Sequence, residues 1–264
     1  MDYLPNNNLD EYCTLQQRFL DLEINKYISK FRDRYREEYD VIFELMRYME
    51  TMENKFVDQD ASLRVMLLFS AVIKINRLFQ SAVLLLEKGL PSAAKIIART
   101  ILELSIKMVE MIRNQQYAQE FLVEDICEAR CTINKAKKYD KLDLFSVDQI
   151  EKIESIYQTL GNKAEKVTVK HLAEKNNLLS EYLLYRSYCD NTHMSASALG
   201  ENLKILPEGI IYEADIQVND FKKDLGCLIS IVLISIPFFM NEYFKDENMK
   251  EQYDARCEKF ANIF

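Results

Sequence analysis

An all-α fold, an antiparallel helical bundle of roughly seven to nine helices, is predicted for this chain of 264 residues by three observations. The first is that only 5 glycines and 4 prolines occur, whereas sheets joined by many tight turns use more of both. The second is that apolar residues recur at helical spacing through 6–88, a stretch without either residue. The third is a content of 48% hydrophobic and 29% charged residues, which is typical of a globular protein with a substantial core.

A tight helical hairpin is the best-marked feature of the first half of the chain. A strongly apolar helix is predicted over 61–88, and Gly89 ends it. Pro91 then suits the first turn of the next helix, over 92–113, because a proline there loses no helical hydrogen bond. This second helix is apolar on nearly every side, so we expect it at the centre of the core.

The remaining chain shows further helical patterns and one segment of a different kind. Further helices are predicted over 115–138, 146–161, 178–199, 222–244 and 247–264, with polar breaks at 139–145 and 162–177. Ser146 and Gln149 form a capping box at the start of one of them. The segment 204–218 contains Pro207, Gly209 and a β-branched run, which predicts one long loop or small hairpin.

The length admits two readings of the domain organisation. Residues 1–60 are predicted to form N-terminal long helices, and 61–264 a helical bundle with a C-terminal extension, either as separate units or as one continuous domain. No basic region followed by an apolar stretch begins the sequence, so we expect a cytoplasmic protein. The longest uncharged run, 225–240, is shorter than a membrane span and contains Pro237, which predicts a buried helix and no membrane association.

Composition argues against several classes of function. The net charge of -8 disfavours a broad cationic surface for nucleic acid, although a local basic cleft remains open. The 6 cysteines include no C-x-x-C pair and have no matching histidine pair, so we predict no metal site and no cofactor. Glycine-rich phosphate loops and the G-x-S-x-G motif are also missing.

Only 2 histidines are present, which restricts any proposal of proton transfer. His171 lies in a polar stretch and is predicted to be a surface residue. His193 ends the polar string 185–193 (YRSYCDNTH) inside an otherwise apolar helix. Arg186 and His193 share one face of that helix, with Asp190 between them. The structural alternative is a polar patch in which Asp190 pairs with Arg186 and steadies His193.

This arginine–histidine spacing resembles the R-x(4-6)-H motif of the HEPN superfamily, many of whose members are metal-independent ribonucleases of toxin and phage-defence systems. The hairpin over 82–103 is similar to the paired-helix opening of those families. The chain also resembles an uncharacterised bacterial all-helical family in which an Arg-x3-Glu pair, here Arg99 and Glu103, precedes a Tyr-Arg…His string. The resemblance covers roughly 63–199.

The resemblance implies an RNA substrate and a homodimer whose motif helices face each other across a cleft. His193 would move protons at the 2′-hydroxyl and the leaving oxygen, and Arg186 would stabilise the charged phosphate. Tyr185, Asp190 and Asn191 would orient these groups or the RNA. Arg99 and Glu103, one turn apart on the core helix, would supply a supporting ion pair. For Arg99 and Glu103, an ordinary salt bridge within one helix is the equal alternative.

A second function remains open beside the ribonuclease. Ser187 follows the arginine where many HEPN ribonucleases have Asn, Asp or His, and the spacing is at the long limit of the motif. Together with the acidic net charge, this favours a catalytically inactive helical module that binds a protein or a nucleotide, with a regulatory protein as partner. The two functions differ in whether they need His193.

Overall fold

A computed structural model describes the chain over residues 28–29, 32–56, 62–160, 167–192, 203–206, 209–212, 218–239 and 243–264. Nine α-helices of eight or more residues lie in these ranges: α1 Arg36–Phe56, α2 Leu63–Glu87, α3 Pro91–Arg113, α4 Tyr117–Lys138, α5 Val147–Leu160, α6 Val169–Asn176, α7 Leu179–Thr192, α8 Val218–Phe239 and α9 Glu247–Ile263. A 3-10 turn, Leu142–Leu144, connects α4 to α5. The predicted all-α bundle is therefore confirmed.

The small hairpin predicted near 204–218 is also present, between α7 and α8. Its strands are β1, Leu203–Leu206, and β2, Gly209–Tyr212, and they pair antiparallel. Leu206 faces Gly209 in the register, so only two residues connect the strands. A connection this short fixes the pairing of a hairpin.

The α2–α3 hairpin forms the centre of the bundle, as the sequence predicts. Gly89 has φ 68°, a left-handed conformation that glycine adopts without steric cost, and Pro91 begins α3. α3 contacts α2, α6, α7 and α8, and its Ile101, Leu102 and Ile106 are almost fully buried. Because α3 has neighbours on most of its sides, any group on its remaining open face lies close to several helices.

Helix α1 packs into the same core as α2, α3 and α8. Helix α9 contacts α1 and is joined to it by two side-chain interactions. The Tyr48 hydroxyl donates to the carbonyl of Met249 at 3.1 Å, and Lys259 Nζ lies 2.6 Å from Glu44 Oε1. One hydrophobic cluster thus extends from α1 to Met249 in α9.

Local capping explains several helix boundaries, and one of them was missed by sequence reasoning. The capping box forms as predicted, since Ser146 Oγ accepts from Gln149 N at 3.2 Å and Gln149 Oε1 accepts from Ser146 N at 3.0 Å. The predicted polar break over 162–177 is wrong for its second half, which forms α6. Thr168 begins α6 by accepting from the backbone N–H of His171 at 3.2 Å, and Asn177 ends it with φ 60°.

Helix α8 is a core helix, as the uncharged run predicts. It begins at Val218, before the predicted start, and is described as far as Phe239. Of the predicted extension to 244, residues 240–242 lie outside the described residues. Leu225, Ile229 and Val232 are fully buried. Among the described residues, α2 alone is long and apolar enough to pass for a membrane span by length and composition. Helix α2 contacts α1, α3 and α8, and 44% of its apolar window is buried inside the protein.

Candidate functional site

A cleft of about 430 Å³ opens beside the predicted motif helix. The walls from α3 and α7 supply Arg99, Glu103, Lys107, Tyr182, Tyr185 and Arg186. The wall from α4 supplies Phe121, Glu124, Asp125 and Glu128, and the start of α6 closes the cleft with residues 167–170. Helix spacing produces these walls, because residues three and four apart lie on one helix face.

Arg99 connects α3 to α7 through three different groups. Its Nη2 donates to the Tyr185 hydroxyl at 2.8 Å, and its Nε donates to Cys189 Sγ at 3.3 Å. Its guanidinium carbon lies 4.8 Å from the centroid of the Tyr185 ring, a cation–π distance. Glu103 Oε2 is 3.5 Å from the same Nη2. The side chain is 21% exposed, so Arg99 holds the two helices together and keeps little freedom to bind another anion.

Glu103 is shared between two cations on the same face of α3. Its second oxygen, Oε1, accepts from Lys107 Nζ at 3.0 Å. Lys107 Nζ also lies 5.3 Å from the centroid of Phe121 on α4, which ties that wall to α3. The predicted pair of Arg99 and Glu103 therefore exists. With Lys107 it forms a row of alternating charges along the α3 wall of the cleft, and Glu103 is the middle member of that row.

The phenol of Tyr185 stays protonated at neutral pH. Burial raises the pKa of Tyr185 above its ordinary value, and the negative charge of Glu103 raises it further, while Arg99 opposes the change. Tyr185 accepts a hydrogen bond from Arg99 and still carries its own proton. It is consequently suited to orient an acceptor group in the cleft, and not to act as a base.

Arg186 differs from Arg99 in its surroundings. It is exposed at the edge of the cleft, one residue after Tyr185, and the described side chains give it no ion pair or hydrogen bond. Ser187, the next residue, turns its hydroxyl to the carbonyl of Leu184 at 2.7 Å. Of the two arginines that line the cleft, Arg186 is the more exposed, and it is the one without a partner among the described side chains.

The other predicted site residues lie at the end of α7. Asp190 and Asn191 belong to the last turn of that helix, but their side chains lie outside the described residues. His193 follows Thr192 and also lies outside them. Of the predicted site residues, the structure therefore brings Tyr185, Arg186, Arg99 and Glu103 together in the cleft. His171 is exposed on α6, as predicted.

Sequence reasoning did not identify three parts of this cleft: Lys107, Tyr182 and the carboxylates of α4. The first two had local signals, because Lys107 is four residues after Glu103 and Tyr182 is three residues before Tyr185. The carboxylates of α4 had none, since only the packing of α4 places them beside α7. In the part of the chain described, no three His, Cys, Asp or Glu side chains are grouped as metal ligands.

Comparison with known proteins gives one match. The model of DUF5677, a family of unknown function, matches residues 65–210, which is more than half of the chain. The matched region includes both the Arg99–Glu103 pair and the segment from Arg186 to His193. No curated protein and no solved structure matches the chain. The chain therefore belongs to the DUF5677 family.

Proposed function

We propose that this protein is a metal-independent endoribonuclease of the HEPN type, acting in phage defence or growth arrest, with Arg186 and His193 as its catalytic residues. The observation that carries the proposal is the exposed Arg186 at the edge of a cleft. Its guanidinium has no carboxylate partner among the described side chains, and a guanidinium binds a phosphate through paired N–H donors. Its neighbour Arg99 supports the site by holding Tyr185 in place.

The chemistry needs one proton carrier and one cation. His193 takes the proton from a ribose 2′-hydroxyl, and the 2′-oxygen attacks the adjacent phosphorus. The bond from phosphorus to the 5′-oxygen breaks, and that oxygen leaves with a proton returned by a protonated imidazole. The products are a 2′,3′-cyclic phosphate and a free 5′-hydroxyl. Arg186 stabilises the additional negative charge on the phosphate in the transition state.

A second copy of the chain completes the site in this proposal. Seven residues along a helix correspond to a rise of about 10 Å, too far for Arg186 and His193 of one helix to converge easily on one phosphate. Leu179 and Leu183 share the face of Arg186 and are 51% and 62% exposed. An exposed apolar stripe beside the catalytic arginine supports a homodimer in which α7 faces its own copy.

The decisive experiment is RNA cleavage by the purified full chain in the presence of a chelator. Wild type should release fragments that end in a 2′,3′-cyclic phosphate. His193→Ala and Arg186→Ala should each lower the rate by about a hundredfold or more. Arg77→Ala is the matched control, because Arg77 is an exposed helical arginine that does not line the cleft. Equal rates of RNA cleavage by His193→Ala and wild type would refute the proposed function.

The dimer requires its own measurement. Leu183→Glu places a charge in the exposed apolar stripe, so molar mass in solution should fall from that of a dimer to that of a monomer. Cleavage should be lost with it, whereas Leu84→Glu, at a 52% exposed leucine on α2, should keep both. A monomeric wild type that still cleaves RNA would contradict the two-copy site.

A catalytically inactive binding module is the second candidate, and one observation favours it. The cleft lining carries as many carboxylates as cations, so it is not the broadly cationic surface that attracts a polyanion; the carboxylates are Glu103, Glu124, Asp125 and Glu128, and the cations are Arg99, Lys107, Lys170 and Arg186. In this case His193→Ala leaves every measurable property unchanged, and Arg186→Ala weakens the binding of a protein or nucleotide ligand. The same variants therefore separate the two functions.

A further inference from the structure

Arg99, Tyr185 and Tyr182 form a ladder along the cleft, and Tyr182, which also packs against the core, is its last member among the described residues. The Arg99 guanidinium lies over Tyr185, and the Tyr185 ring stacks on Tyr182 with 5.9 Å between centroids and 27° between planes. Within the described part of the chain, Tyr182 has no other ring or cation over it, and it lines the cleft half-buried. A flat ring entering the cleft extends this ladder by stacking on Tyr182.

The α4 wall determines which ring fits. Glu124, Asp125 and Glu128 line the same cleft, and ionised carboxylates accept hydrogen bonds but donate none. Asp125 is exposed and has no ion pair among the described side chains. A ring that carries an amino group satisfies such a carboxylate, whereas a ring that presents only carbonyl oxygens there is repelled.

Arg186 adds a requirement at the other end of the ligand. It lies four residues after Tyr182, hence on the adjacent part of the same helix face, and it lines the cleft beside the ladder. A ligand stacked on Tyr182 therefore has the exposed Arg186 guanidinium, unpaired among the described side chains, within reach of an attached anionic group. An aromatic ring with an amino group at one end and an anion at the other describes a nucleotide.

We propose that this cleft binds a nucleotide whose base carries an exocyclic amino group, with the base on Tyr182, the amino group toward Asp125 and the phosphate at Arg186. Cytosine, adenine and guanine meet this description, and uracil does not. The inference rests on the proposed function, since it assigns the cleft to one nucleotide of the RNA next to the cleaved bond. It adds a base preference that the catalytic motif does not contain.

Binding of CMP, AMP, GMP and UMP to the full chain, measured by calorimetry in a chelator, tests the inference without any need for cleavage. The three amino-bearing nucleotides should bind about tenfold more tightly than UMP. Asp125→Asn should reduce that difference to within about twofold, because an amide can also donate to a carbonyl. Equal binding of UMP and CMP by wild type, or no binding of any of the four, would overturn the inference.

The stacking step has a matched pair of variants. Tyr182→Phe keeps the ring and should keep the affinity for CMP within about twofold, whereas Tyr182→Ala should lose about tenfold or more. Tyr139→Ala, at a 68% exposed tyrosine outside the cleft, is the control for loss of an aromatic ring. If the thermal melt shows that Tyr182→Ala does not fold, the effect of Asp125→Asn on the difference between CMP and UMP binding decides whether the proposed nucleotide site is correct. Loss of CMP affinity in Tyr182→Phe equal to that in Tyr182→Ala would contradict stacking.

The two proposals fail in different ways. Nucleotide binding with the expected preference in a protein that cuts no RNA would support the base site and remove the ribonuclease. RNA cleavage that depends on His193, by a protein that binds UMP and CMP equally, would support the ribonuclease and overturn the base site.

Discussion

Replacing Glu110 by alanine is expected to destabilise the protein more than the loss of any surface ion pair. Glu110 lies on α3 and is 1% exposed, yet its carboxylate is satisfied by three donors. Lys175 and Asn176 reach it from α6 at 2.5 and 2.8 Å, and Asn114 reaches it at 3.0 Å. The group fastens α6 to α3, and the start of α6 closes the cleft.

The loss in free energy of unfolding on Glu110→Ala depends on which hydrogen-bond donors are left without an acceptor. Asn176 keeps its hydrogen bond to the Leu172 carbonyl at 2.9 Å, and Lys175 is half exposed and can return to water. The loss therefore falls at the lower end of the range for breaking a buried charged pair, at about 3 kcal/mol. For a chain of this size that corresponds to a fall in Tm of roughly 6 to 12 °C.

Thermal and urea unfolding at neutral pH measure this difference. Glu110→Gln should cost about half as much, because the amide oxygen still accepts from part of the set. Glu174→Ala is the control, since Glu174 is an exposed neighbour on α6 whose pairing with Lys170 at 3.7 Å contributes little. If Glu110→Ala and Glu174→Ala melt at the same temperature, the carboxylate does not hold α6 in place.

The same carboxylate gives a pH dependence with a defined sign. Burial alone would raise the pKa of Glu110, but the hydrogen bonds from Lys175, Asn176 and Asn114 lower it below the ordinary value of 4.5. A carboxyl with a lowered pKa stabilises the fold above pH 4.5, and this stabilisation is lost as the pH falls through the lower value. The stability difference between wild type and Glu110→Gln should therefore be complete at pH 7 and shrink below pH 4.5.

Three further changes probe the core and the cleft. Tyr48→Phe removes the hydroxyl that donates to the α9 carbonyl at 3.1 Å and should cost about 1 to 3 kcal/mol in urea unfolding, because that carbonyl loses its side-chain partner. Gly226→Ala places a Cβ 2.8 Å from the Phe264 ring, which is too close for an ordinary contact. The gain of about 1 kcal/mol expected for alanine over glycine in a helix should therefore be seen only in a Phe264→Ala background. A double-mutant cycle of the two changes, measured by urea unfolding, checks this. Arg99→Gln should lower the Tm by several degrees by loosening α7 from α3, whereas the exposed Arg186→Gln should leave the Tm within about 1 °C.

Most helix boundaries were predictable from the sequence because their causes are local. Gly89 and Pro91 mark the α2–α3 corner, and Ser146 with Gln149 marks the start of α5, each by backbone or side-chain geometry within a few residues. Helix α6 was missed because the contact that holds it is not local. The helix is only eight residues long and mostly polar, and the contact of Asn176 with Glu110, 66 residues away, holds it in place.

The candidate site likewise contains residues that local sequence features predict and residues that only contacts distant along the chain bring into it. Residue type and helical spacing singled out Arg186, and the resemblance to an uncharacterised all-helical family singled out the Arg99–Glu103 pair. The exposure of Arg186 depends on which face of α7 the bundle covers, and spacing alone does not decide that. Tyr185 and Cys189, the partners of Arg99 on α7, lie 86 and 90 residues along the chain.

What the sequence by itself determined is the helical class, the central hairpin and the residue types available for chemistry, because periodicity, capping and composition act over a few turns of chain. Only the tertiary structure decided that Arg99 is bound and Arg186 is open, and that Tyr182 and the carboxylates of α4 share one cleft. The physical reason is that partners this far apart are chosen by helix packing, which depends on the shape of the whole core.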